Sequence, residues 1–100
     1  MTDTRTSWDD LRKRRMAEPG AADAYDAARL AFELGTAVRE LREAHGWSQT
    51  QLAQAAGMTQ SAVARFEAGG TIPTLPILGR LAQALNVELA VRFTPKTAAS

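Results

Sequence analysis

Apolar positions along the chain fall into four helical stripes followed by one alternating run, and their spacing predicts the elements. Leu30, Leu34, Val38 and Leu41 recur at intervals of four, four and three, which predicts a long first helix from about Ala22 to Ala44, ended by Gly46. Leu52, Ala53 and Ala56 share one face of a short second helix, and Val63 and Phe66 form the narrow stripe of a third. Leu75, Leu78, Leu81, Ala82 and Leu85 mark a fourth. The period then changes at once. In VELAVRFT, Val87, Leu89, Val91 and Phe93 alternate with Glu88, Ala90, Arg92 and Thr94, a period of two that predicts a half-buried strand over 87–94.

Polar residues between the stripes supply the starts and stops. Ser48 is placed to cap the second helix, with Gln51 reaching back as the partner of a capping box, and Trp47 before the cap reads as a structural staple. Gly57 suits the left-handed position that ends a helix, Thr59 caps the third, and Gly69 and Gly70 close it. Pro73 punctuates the loop TIPTLP, Thr74 caps the fourth helix with Pro76 tolerated in its first turn, and Asn86 stops it. Tyr25 and Phe32 lie off the main stripe of the first helix, facing either a partner or the C-terminal region.

Residues 48–69, SQTQLAQAAGMTQSAVARFEAG, therefore read as two short amphipathic helices hinged at Gly57, small enough at Ala53 and Ala56 to cross closely. This is the pattern of a helix-turn-helix that lays its second helix in a DNA major groove. The face left over carries Gln60, Ser61, Ala64 and Arg65. Gln pairs with adenine and Arg with guanine, while the Ala64 methyl suits a thymine methyl or close backbone approach. Gln49 and Thr59, at the two helix starts, are placed to bind phosphates. The alternative is a merely solvated face, but such faces more often carry Glu and Lys.

From about Val38 to Leu85 the chain resembles the Cro/C1-type helix-turn-helix of phage repressors and bacterial xenobiotic-response-element regulators, most specifically in HGWSQTQLAQAAGMTQSAVARFEAG. The resemblance implies a mainly α, lambda-repressor-like DNA-binding domain, here with a long first helix. It implies that Gln49 steadies both a phosphate and Gln60, that Ser61 and Arg65 read bases, and that Arg42 and Glu67 form a structural ion pair. The C-terminal strand departs from the phage repressors and resembles instead the antitoxins of the HigA and HipB types. A lone strand needs another edge, and the same strand of a second subunit is the economical source. Val87, Leu89, Val91 and Phe93 are thus expected to seal a homodimer, with pairing to the N-terminal segment as the alternative.

The expected organisation is an N-terminal tail over 1–23, a helix-turn-helix domain over 24–86, a dimerisation strand over 87–94 and a disordered end over 95–100. In the tail, Trp8, Leu11 and Met16 can form the apolar side of a short partner-binding helix, or the segment is disordered; its basic run Arg12–Arg15 can also reach phosphates. At 100 residues and 45% hydrophobic content the chain makes one small core, without cysteine to brace it. One histidine and no thiol leave no material for a metal site or a nucleophilic triad, so no enzyme and no cofactor are expected. The net charge is only +1, and residues 48–69 hold Arg65 against Glu67, so neutral side chains and backbone amides must make many phosphate contacts. No run approaches the length of a membrane span and no signal-peptide pattern is present, which predicts a cytoplasmic protein with no membrane partner. The expected function is a repressor of a pseudopalindromic operator in double-stranded DNA, as the antitoxin of a type II pair that binds a cognate toxin. A stand-alone regulator of the same fold is the alternative, and an adaptor that no longer reads DNA is a third.

Overall fold

Three helix starts in this chain are set by hydroxyl side chains. Ser48 Oγ accepts from the Gln51 amide at 3.1 Å while Gln51 Oε1 accepts from the Ser48 amide at 2.7 Å, a complete capping box. Thr59 and Thr74 cap in the same way, accepting from the amides of Ala62 and Ile77 at 3.1 and 3.4 Å. The computed structural model describes residues 21–96, and these contain four helices: α1 (Ala21–Ala44), α2 (Gln49–Ala56), α3 (Gln60–Glu67) and α4 (Leu75–Ala84). All four helices stop at a residue in the left-handed region, Gly46 at φ 72°, Gly57 at φ 68°, Gly69 at φ 75° and Asn86 at φ 58°. Asparagine is one of the few side chains that enters this region at low cost, which explains how Asn86 ends α4 without a glycine.

Leu52, Val63, Phe66, Leu81 and Leu85 form the centre of the core, where α2, α3 and α4 meet the C-terminal half of α1 through Val38. Ala53 and Ala56 are buried, as close packing of α2 against its neighbours requires, and Ala56 lies beside Ala84 of α4. Trp47 packs against the core edge and stacks on His45 with ring centroids 4.7 Å apart. His45 Nε2 lies 2.8 Å from the Leu85 carbonyl oxygen, tying the end of α1 to the end of α4.

The buried stripe of α1 differs from the predicted one. Leu30 is 51% exposed, whereas Ala31 is buried. The reason is that α1, about 36 Å long for its 24 residues, crosses the end of α3 with its small residues inward. A Cβ on Gly35 would meet the carbonyl oxygen of Phe66 and stand 2.7 Å from that of Glu67, so the backbones touch here. Leu75, expected on the α4 stripe, is likewise exposed, since it opens the helix above the core.

The strand expected over 87–94 is not formed: residues 87–96 are irregular, and no strand occurs among the described residues. A strand exists only in a ladder, and among the described residues this segment meets no second edge. Val87 and Leu89 border an apolar groove lined by Leu34, Leu41, Leu78 and Leu85, while Val91 is 65% and Phe93 fully exposed. Among the described residues no helix is long and apolar enough to cross a membrane.

Candidate nucleic-acid interface

Within α3 the helical period separates two faces. Val63, Phe66 and Glu67 turn inward, while Gln60, Ser61 and Arg65 are exposed and Ala64 is half-buried between them. The four side chains expected to read bases thus stand together on one outer surface, with the α3 N-terminus at one end. Thr59 is exposed at that end, its hydroxyl oxygen already committed to the Ala62 amide.

Behind this surface lies a continuous hydrogen-bonded chain drawn from three helices. Arg42 of α1 donates from Nε to Glu67 Oε2 at 2.6 Å and from Nη2 to Glu67 Oε1 at 3.0 Å, the bidentate fork that suits guanidinium and carboxylate. Its Nη1 donates to the Trp47 carbonyl at 2.7 Å, anchoring the α1–α2 turn. Glu67 Oε1 also accepts from Gln49 Nε2 at 3.2 Å, and Gln49 Oε1 accepts from Gln60 Nε2 at 2.7 Å. The ion pair is nearly dry, its side chains 12% and 4% exposed. The Glu67 hydrogen bond is the chief influence that raises Arg42 above its ordinary range, ahead of burial, which opposes it, and the Coulomb fields of Glu67 and Glu43. Among the described residues no buried side-chain polar atom lacks a partner. A carboxylate so close to the exposed face of α3 is therefore paired from behind and does not present a free charge there.

The exposed cations are held by local geometry. The stem of Arg65 lies against the turn after α3: a Cβ on Gly70 would stand 3.1 Å from Arg65 Cγ, and the Gly70 amide donates to the Arg65 carbonyl at 2.9 Å. Arg39 lines one cleft with Gln49, Ala64 and Glu67, and its own carboxylate contact, to Glu43, is long at 3.5 Å with both side chains more than half exposed. Sequence reasoning missed Arg39, although its position three residues before Arg42 places both on one helix face. It also missed the Glu67–Gln49 contact, which joins the ion pair to the reading face. Trp8, Leu11, Met16 and the basic run Arg12–Arg15 lie outside the described residues.

Comparison with known proteins agrees with this geometry. Residues 38–91 match the family model described as helix-turn-helix. The HTH-type transcriptional regulator SutR of Escherichia coli (strain K12) is 32% identical over 71 residues, covering 71% of this chain and 40% of the relative. The chain thus spans well under half the length of that curated relative. Among solved structures, the restriction-modification controller protein C.AhdI from Aeromonas hydrophila superposes with a TM-score of 0.57 at 38% identity, over 58% of this chain and 88% of that one.

Proposed function

The chain belongs to the Cro/C1-type helix-turn-helix family, and on that premise we propose that it is a sequence-specific DNA-binding transcriptional regulator. The observation that carries the reading is the outer face of α3, where Gln60, Ser61 and Arg65 stand exposed on a helix locked from behind by Val63, Phe66 and Glu67. Gln60 and Arg65 have the hydrogen-bonding patterns of adenine and guanine readers, and Gln49, Thr59 and Arg39 flank them as phosphate contacts. The regulator acts as a homodimer on a pseudopalindromic operator, with half-site centres about 34 Å apart. The row of exposed apolar side chains from Val87 to Phe93 supports that association.

Of the two regulatory roles, the stand-alone regulator is favoured over the antitoxin. The relatives matched are named as a transcriptional regulator and a restriction-modification controller, and neither name invokes a toxin. The test is enrichment of sites from a randomised DNA duplex pool. Recovery of one inverted-repeat sequence supports the proposal; binding of all duplexes alike would leave a protein that touches phosphate without reading bases.

A further inference from the structure

We propose that Glu67 is a positioning residue for base recognition: through Gln49 it fixes which end of the Gln60 amide faces the DNA, and so sets a preference for adenine over guanine. The inference rests on the DNA-binding reading above and adds a specificity determinant that does not itself touch a base.

The argument is one of donor and acceptor polarity. A carboxylate can only accept hydrogen bonds, and that of Glu67 takes two from the Arg42 guanidinium, which can only donate. Gln49, 3.2 Å away, must therefore turn its NH2 group toward Glu67 and its oxygen outward. Gln60, 2.7 Å from that oxygen, must then donate to it. One N–H and the whole oxygen of Gln60 remain for the groove. Adenine presents an acceptor at N7 and a donor at N6, which match this pair, whereas guanine presents acceptors at both N7 and O6 and meets the Gln60 oxygen with an acceptor. A free glutamine side chain rotates its amide between both orientations at little cost. Here the orientation is dictated from the interior, two side chains away.

Glu67→Gln lifts the constraint. With its oxygen in the place of Oε1 the new amide still accepts from Arg42 Nη2 and Gln49, but with its oxygen toward Arg42 Nε its NH2 group faces Gln49 and the polarity of every link inverts. In that second arrangement Gln60 accepts from Gln49 and offers N–H groups alone to the groove, the pattern that suits guanine. Gln49→Met removes the relay without touching the ion pair and frees the Gln60 amide to turn.

The experiment is site enrichment from a randomised duplex pool by the full chain and its variants, with thermal melting as the control for folding. The wild type is expected to select adenine at the base pair read by Gln60. Glu67→Gln is expected to move that position toward guanine, and Gln49→Met to lower the adenine-over-guanine ratio by about tenfold, with the other positions of the site unchanged. If Glu67→Gln fails to fold, Glu67→Asp keeps a charge opposite Arg42 while drawing the carboxylate back from Gln49, and the adenine preference should weaken in the same way. An unchanged adenine preference in the folded variants would overturn the inference while leaving the DNA-binding reading intact. A wild type that enriches no sequence would remove that reading and this inference together.

Discussion

At the residue scale, the side chains of the interface divide by what their loss should change. Gln60→Ala and Arg65→Ala each delete a group proposed to read a base, and each should cost about 1–3 kcal/mol on the preferred operator while leaving nonspecific binding nearly untouched. Fluorescence anisotropy with operator and scrambled duplexes separates the two, and equal losses on both would reassign these residues to phosphate. Arg39 should behave oppositely. It lines the cleft beside Gln49 and Ala64 and belongs to α1, which carries none of the side chains proposed to read bases. Arg39→Ala should weaken binding to every sequence alike and reduce the salt slope by about 1 per subunit. A loss confined to the operator would mean that Arg39 reaches a base.

At the scale of elements, the helices were legible in the sequence because caps and periods are local. Ser48 with Gln51, Thr59, Gly57 and Asn86 act through bonds to residues at most four positions away, so the sequence around each suffices to place a boundary. Packing between elements is less legible, because it depends on which backbones approach most closely. Leu30 continues the period of α1 yet stands exposed, and Gly35, unremarkable in sequence, marks the crossing with α3. Residues brought together across 18 or 25 positions, such as Gln49 or Arg42 with Glu67, are not implied by any local spacing; resemblance supplied the second pair and nothing supplied the first. The run over 87–94 shows the opposite failure. Its alternation records a preference for a strand, but a strand is a property of two segments and the described residues offer one. The crossing at Gly35 carries its own prediction. Gly35→Ala places a methyl group against the carbonyls of Phe66 and Glu67, and because backbone cannot yield as a flexible side chain does, it should destabilise the fold by about 1–3 kcal/mol. Chemical denaturation measures this, and a neutral or stabilising result, as helix propensity alone would give, would show that α1 can slide away from α3.

At the scale of the whole molecule, assembly and electrostatics make one joint prediction. The net charge of +1 leaves little excess to neutralise phosphate, and the reading face offers Arg39 and Arg65 as its exposed cations, Arg42 being committed to Glu67. Two such groups in each subunit of a dimer give four, and since each neutralised phosphate contributes about 0.9 to the log–log slope of affinity against salt, the slope should be about −4. Val91→Asp together with Phe93→Asp places charges on side chains that are already 65% and 100% exposed, so the fold of the single chain should survive. If these residues join two subunits, sedimentation should show a monomer, and the slope should fall to about −2 as each chain binds a half-site alone. A variant that remains dimeric would locate the interface on another surface, with the exposed Leu30 and Phe32 of α1 next in line. A wild-type slope near −10 would mean that basic groups beyond α1 and α3 also engage the backbone, and Arg12–Arg15 would be the first to replace.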